Sequence, residues 1–283
     1  MKRISILGGT GMAGHVAALY LRKKGYDVHY MSRSAETSDK STPITVENLE
    51  TAKKWLEKTN PNIVLNCLGL LQQECDNSPE KAILINALLP NYLAHIYKNA
   101  NVKVIHLSSD CVFSGDRGQY TENDFPDGES VYARTKFLGE IKGDKDLTFR
   151  TSIIGPDINK HGIGLFNWFM NQSGKVNGYV NAVWNGVTTI ELAKAIHAAI
   201  EQNLTGLYQL ASPGTIDKCS LLQLFKNAFN KTDIEILPYE QYKTNKSLLN
   251  TREGFLYEVK PLDRQIDEMK RWIDENKELY PHY

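Results

Sequence analysis

The chain has 283 residues, 41% hydrophobic and 23% charged, an ordinary globular balance with room for one large α/β domain and a smaller appended region. Lys plus Arg equals Asp plus Glu at 33 each, so no basic excess points to a nucleic acid polymer or to an anionic membrane as a partner. The four cysteines, Cys67, Cys75, Cys111 and Cys219, form no C-x-x-C pair and match no zinc spacing, so free thiols in a reducing compartment and no metal site are expected.

The opening "MKRISILGGTG" reads as a first strand, Ile4 to Leu7, running into glycines, rather than as a leader. Residues 12–24 follow as a helix that Gly25 stops, with Val16, Leu19 and Tyr20 on one face. "YDVHYMSR" is a second strand, 46–59 a helix with Leu49, Ala52, Trp55 and Leu56 on one side, and "PNIVLNCLG" a strand. A long helix is predicted over 79–98 and another strand in "VKVIHLSSD". Strands that are apolar throughout and alternate with helices specify an α/β, Rossmann-type doubly wound parallel sheet. Residues 113–130 have little periodicity and read as a long functional loop. Then come a helix at about 131–142, the strand "LTFRTSIIG", a short helix around "LFNWFM" between turns in 157–180, and a helix at 189–201. "GLYQLAS" is strand-like, and "CSLLQLFKNAF" and "LDRQIDEMKRWIDENKEL" are helices. Nowhere do enough apolar residues run together to span a membrane, and a cytoplasmic location is the default expectation.

Gly8, Gly11 and Gly14 fall between the first strand and the first helix with the spacing G-x-x-G-x-x-G. Such a turn permits a tight bend, close approach of a pyrophosphate and close packing of helix on sheet, with the phosphates facing the helix N-terminus. After the second strand the chain reads Met31-Ser32-Arg33-Ser34, with no acid until Glu36 to hold ribose hydroxyls. Ser32 and Arg33 suit a 2′-phosphate, so NADP(H) is expected to be preferred, with NAD(H) as the alternative.

Tyr132 and Lys136, four apart in "VYARTKFLGEI", share one helical face. A neighbouring ammonium is expected to lower the phenol pKa, and the phenol to donate a proton to a carbonyl oxygen as hydride reaches the carbon. Ser108 and Ser109 end a strand at the sheet edge where such folds put ligands, and a hydroxyl there can polarise a carbonyl. Asn66 ends the preceding strand at the same edge, and Asn86 lies in the helix after it. His106 reads as core and His15 as structural.

With these residues in hand, the chain resembles the extended short-chain dehydrogenase/reductases, and within them the dTDP-4-dehydrorhamnose reductase family. The matching pieces are "GGTGMAGH", "NCLG", "INA", "HLSSDCVFSG", "YARTKFLGE", "LTFRTSIIG", "NGVTTIELAKAI" and "GLYQLAS", in the family's order. The resemblance implies a catalytic trio of Ser109, Tyr132 and Lys136. Its implied cofactor contacts are Gly8, Thr10, Gly11, Met12, Gly14, Ser32, Arg33, Cys67, Leu68, Gly69 and Asn86, with Tyr132 and Lys136. Ser109, Asp110, Cys111, Val112, Phe113, Trp168 and Trp184 are its implied substrate contacts. Residues 1–155 are expected to form the NADP(H)-binding Rossmann domain and 156–283 mainly a substrate-binding region, with part of 181–215 packing back on the first. The implied activity is reduction of the C4 keto group of a nucleotide-linked 4-keto-6-deoxysugar, with a homodimer as a further implication. The alternatives are an epimerase with bound NAD and a non-catalytic NADP-binding regulatory subunit. The chain departs from the family at Leu70 and Leu71, at Thr188 where proline is usual, and near Thr45, where an acid is usual. These departures leave the sugar open, so a UDP-linked N-acetylated sugar stands beside the dTDP sugar.

Overall fold

The computed structural model describes residues 1–283. Strand and helix alternate from the start: β1 (Arg3–Leu7), α1 (Met12–Lys23), β2 (Asp27–Ser32), β3 (Ser41–Pro43), α2 (Leu49–Thr59), β4 (Ile63–Asn66), α3 (Gln72–Asn77), α4 (Pro79–Ala82), α5 (Leu89–Ile96), β5 (Lys103–Leu107), α6 (Val131–Leu138) and β6 (Leu147–Arg150). The chain continues through β7 (Ile153–Ile154), α7 (Leu165–Met170), β8 (Gly174–Trp184), β9 (Val187–Thr188), α8 (Thr189–Glu201), β10 (Gly206–Gln209), β11 (Ile216–Asp217), α9 (Lys218–Ala228), β12 (Ile234–Asn245) and α10 (Leu262–Glu275). Seven strands form one sheet in the order β10-β6-β5-β4-β1-β2-β3, every neighbouring pair parallel. The order reverses between β1 and β4, which opens a crevice beyond their C-terminal ends.

Alternation along each strand explains why both faces are covered. Ile4 and Ile6 of β1, Ile63 and Leu65 of β4, and Ile105 and Leu107 of β5 point to one face, where Ala17, Ala18 and Leu21 of α1 and Leu192, Ile196 and Ile200 of α8 bury them. Leu7, Val64 and Val104 point the other way, into a core with Ala52, Trp55 and Leu56 of α2 and Leu89 and Leu93 of α5. Each fully buried Leu or Ile contributes about 1.5–3 kcal/mol. The helix predicted over 12–24 thus owes its register to this sheet rather than to propensity, since its first turn lacks a side-chain cap.

Two predicted elements divide. The long helix over 79–98 is α4 and α5 joined by a π-helical stretch, Ile83–Leu88, whose wide turn carries Asn86. "LTFRTSIIG" is β6 and then β7, which leaves the large sheet to pair with β9. A third difference is a whole sheet the reading lacks: β11-β8-β12, in which β8 pairs antiparallel with β11 and parallel with β12. The segment 174–184, read partly as turns, alternates exposed and buried residues as a half-buried strand does. With α7, α9 and α10 this small sheet encloses a second core around Phe166, Phe169, Phe225, Met269 and Trp272. No helix is long and apolar enough to cross a membrane.

Candidate functional site

The glycine turn is built so that no side chain fits at Gly9 or Gly14, and Gly8 takes a conformation that disfavours one. Gly8 has φ +85°, a left-handed conformation, and its N–H and that of Gly9 both donate to Met31 O at 2.9 and 3.0 Å. A Cβ on Gly14 would lie 2.1 Å from Gly8 O, and one on Gly9 would meet the Tyr30 ring at 2.4 Å. Gly11 caps α1 with no side chain over the helix end, and no acid occupies the first turn, so free N–H groups and the helix dipole face outward. This bare cradle fits the pyrophosphate of a dinucleotide.

At the end of β2 the Thr10 hydroxyl hydrogen-bonds those of Ser32 and Ser34, the latter at 2.9 Å. Arg33 stands exposed beside this hydroxyl cluster. Across the crevice, Cys67 N donates to Leu7 O at 3.0 Å, which lays Cys67 and Leu68 against Gly8. Burial pushes the Cys67 thiol up to about 12, against the pull of the Lys136 ammonium, so it stays neutral. Asn86, expected to touch the cofactor, spends its amide elsewhere. Its Oδ1 accepts from Leu70 N at 2.8 Å, and its Nδ2 donates to Leu70 O at 3.1 Å and to Thr135 Oγ1 at 3.3 Å. It therefore braces the 67–70 loop against α6. Asn66, missing from the expected contacts, ties Leu68 N and the His106 ring together in the same layer.

The two serines after β5 part company. Ser108 Oγ turns inward and donates to Glu140 Oε1 at 2.9 Å, whereas Ser109 Oγ accepts from Cys111 N at 3.0 Å, donates to Asp110 Oδ1 at 3.2 Å, caps a short 3₁₀ turn (Asp110–Val112) and lies near enough to the Tyr132 phenol to pull its pKa down. Lys136 is buried and donates to Leu107 O at 2.6 Å. Ser109, Tyr132 and Lys136 thus meet at the C-terminal edge of β5, across from the glycine turn.

Their electrostatics differ from the expectation in one respect. The Tyr132 pKa is raised, first by burial and then by the neighbouring Cys111 thiol, with the nearby Ser109 hydroxyl pulling the other way. The Lys136 ammonium is aimed at a backbone carbonyl, Leu107 O. The phenol is accordingly held protonated. Burial in turn lowers Lys136 to about 8, and the Glu140 carboxylate opposes that drop. Glu140 is itself clamped by Arg150, with Nε–Oε1 2.6 Å and Nη2–Oε2 2.8 Å, both side chains almost completely buried.

Of the expected substrate contacts, Val112 and Phe113 are buried. They fill a small core with Tyr120 and Leu248, Phe113 stacked on Tyr120 at 4.2 Å, so they shape the loop and do not face the crevice. Asp110 is buried next to Ser109, its carboxyl raised by burial, and Cys111 is half-buried beside it. Trp168 is partly exposed on α7, and Trp184 is buried at the end of β8 under the Lys218 ammonium, 4.3 Å from its ring centre. No group of three His, Cys, Asp or Glu side chains is arranged to hold a metal ion.

The loop over α1 is fastened from far along the chain. Met12 packs against Gly164, Tyr283 Oη donates to Asn167 Oδ1 at 2.6 Å and accepts from Asp157 N at 3.0 Å. His15 donates from Nδ1 to Gly11 O at 2.9 Å and meets Tyr280 Oη through Nε2 at 2.8 Å. Burial lowers the His15 pKa, consistent with a neutral ring that accepts the tyrosine hydroxyl.

The family profile described as "RmlD substrate binding domain" matches residues 1–280. The chain belongs to this family. It is 30% identical over 142 residues to the dTDP-4-dehydrorhamnose reductase of Mycolicibacterium smegmatis, a stretch of 49% of this chain and 40% of that one. It is 29% identical over 139 residues to the probable low-salt glycan biosynthesis reductase Agl14 of Haloferax volcanii, 48% of this chain and 46% of that one. The chain thus spans under half the length of these two relatives. In overall shape it is similar to the dTDP-4-dehydrorhamnose reductase of Bacillus anthracis solved in complex with NADP, with a TM-score of 0.82 at 18% identity, covering 96% of this chain and 99% of that one. The fold is that of the extended short-chain dehydrogenase/reductases that the motifs resemble.

Proposed function

We propose that this chain is an NADPH-dependent reductase of the C4 keto group of a nucleotide-linked 4-keto-6-deoxysugar, dTDP-linked or UDP-linked and N-acetylated. The observation that carries the reading is the meeting of Ser109, Tyr132 and Lys136 at the sheet edge opposite a glycine turn with no room for side chains at Gly9 and Gly14. The reductase names of the relatives in M. smegmatis and H. volcanii support the same reaction class. NADP(H) is preferred over NAD(H) in this reading because Thr10, Ser32 and Ser34 offer hydroxyl donors beside the unpaired Arg33, with no carboxylate among them.

When bound, the dinucleotide supplies hydride to the carbonyl carbon. The protein's own residues do the rest. Ser109 Oγ donates a hydrogen bond to the carbonyl oxygen and fixes it against Tyr132. Tyr132, kept neutral by burial, gives its phenolic proton to that oxygen as negative charge grows there. Lys136, held between Leu107 O and the crevice, stabilises the phenolate left behind and binds ribose hydroxyls. Glu140 keeps that lysine protonated near neutral pH. Gly8, Gly11 and Gly14 with the α1 N-terminus hold the pyrophosphate.

The test follows absorbance at 340 nm with NADPH and, separately, dTDP- and UDP-linked 4-keto-6-deoxysugars made in situ by a dehydratase. Sugar-dependent loss of NADPH with wild type, abolished in Tyr132→Phe while NADPH still binds, is the expected result. Interconversion of sugars without NADPH consumption would replace the reading with an epimerase, and NADPH binding with no turnover of any sugar would replace it with a regulatory subunit.

A further inference from the structure

Two lysines outside the catalytic trio come from the smaller sheet toward Asp110, the residue after Ser109. β8 ends at Trp184, and the register sets its Val183 between Asp217 of β11 and Asn245 of β12. The next residue on each flank is a lysine, Lys218 at the start of α9 and Lys246 just past β12. The Lys218 ammonium lies over the Trp184 ring at 4.3 Å. Lys246 packs along Gly115, whose carbonyl accepts from Asn245 N at 2.6 Å, so the end of β12 is fastened to the loop that follows Ser109–Cys111. Neither ammonium takes part in an ion pair. Both act electrostatically on Asp110, which already hydrogen-bonds Ser109 at 3.2 Å. Two cations therefore face one buried carboxylate, and a positive charge is left over beside the catalytic serine.

A second observation supports an anionic guest. Burial lowers Lys218 to about 8 although Asp110 and the Cys111 thiol draw it upward, so its charge is kept out of water without a full counter-charge. A ligand oxyanion would supply the missing partner through charge-assisted hydrogen bonds, and a lysine is a point-charge donor suited to phosphate.

We propose that Lys218 and Lys246 form the diphosphate subsite of the substrate, gripping the two phosphate groups of a nucleotide-linked sugar so that its keto carbon reaches Ser109 and Tyr132. This deepens the reductase reading and rests on it. It assigns substrate anchoring to the smaller sheet, while the glycine turn holds the separate pyrophosphate of the cofactor.

The full-length protein, saturated with NADPH so that the glycine turn is filled, is titrated by calorimetry with dTDP, UDP, thymidine, uridine and inorganic pyrophosphate. The variants are Lys218→Met, which keeps an apolar chain over Trp184, Lys246→Gln, and Lys218→Arg as the conservative control. The expected result is binding of dTDP or UDP to wild type, weakened tenfold or more in Lys218→Met and in Lys246→Gln, largely restored in Lys218→Arg, with NADPH affinity unchanged and the nucleosides weak throughout. Nucleoside diphosphate binding that is the same in wild type and both neutral variants overturns the subsite and leaves the reductase reading standing. Pyrophosphate binding that depends on the lysines, with no preference for either nucleotide, supports an anion subsite and overturns the nucleotide-sugar reading. No binding of any phosphate to wild type overturns both. Should Lys218→Met fail to fold by circular dichroism, Lys246→Gln, at a half-buried position beyond the end of β12, decides the matter alone.

Discussion

Replacing Glu140 by alanine strips the counter-charge from two cations at once. Arg150 loses a bidentate partner at 2.6 and 2.8 Å in a site where its side chain is 4% exposed, and Ser108 Oγ loses its acceptor at 2.9 Å. Leaving one member of a buried pair uncompensated costs about 3–5 kcal/mol, and an orphaned hydroxyl adds about 1 kcal/mol or more. Against a total stability of about 5–15 kcal/mol this brings the protein close to unfolding at 37 °C. Urea unfolding followed by far-UV circular dichroism should show a lower midpoint with an unchanged slope. The partnered variant Glu140→Leu with Arg150→Met should recover most of the loss, since a buried pair replaced by apolar groups of similar volume is close to neutral. A midpoint for Glu140→Ala that implies less than about 1 kcal/mol of destabilisation would refute the view of this pair as sealed from water. So would a double variant no more stable than the single one.

Three further outcomes are expected. Gly14→Ala forces a Cβ to within 2.1 Å of Gly8 O, so the turn must open; NADPH affinity by fluorescence titration should fall by about two orders of magnitude, and an unchanged affinity would remove the dinucleotide from this turn. The rate of reduction should fall as pH rises through about 8, because Lys136 loses its proton there; in the same region the folded state binds fewer protons than the unfolded chain, whose lysine titrates near 10.4, so this group's contribution makes stability rise with pH between those values. A pH–rate profile flat from 7 to about 9.5 would contradict the protonated role assigned to Lys136. Arg33→Glu should shift the ratio of NADPH to NADH efficiency by tenfold or more toward NADH, and an unchanged ratio would take Arg33 out of the 2′-phosphate contact.

How far the chain could be read depended on whether a signal was local. Strands such as Ile63–Asn66 are apolar at every position because helices cover both faces, and that pattern is visible in sequence. The helix Thr189–Glu201 keeps its predicted bounds because Thr188 caps it and one face is uniformly apolar. The smaller sheet was not legible. Its strands β8 and β12 hold Gly174, Gly178, Asn177 and Pro238, residues that signal turns, and their pairing joins segments about sixty residues apart. The Tyr132–Lys136 pair was legible as spacing, but its surroundings were not. Nothing near Lys136 in sequence says that its ammonium bonds Leu107 O or that Tyr132 is raised by burial. No local pattern announces that the loop turns Val112 and Phe113 inward onto Tyr120. Lys218 and Lys246 gave no motif, and only the register of β8 brings them to one place.

The hydrogen bond between His15 and Tyr280 carries a consequence for how the protein is made. Its partners lie 265 positions apart, and Tyr283, which ties down Asp157, is 126 positions from it. Strands β1 to β5 can pair as they leave the ribosome, but the helix that opens at the glycine turn stays without its last anchor until Tyr280 has emerged. A nascent chain should therefore acquire a sheet well before it acquires nucleotide affinity, and ribosome-bound fragments ending short of Tyr280 should bind NADPH weakly however complete their Rossmann strands.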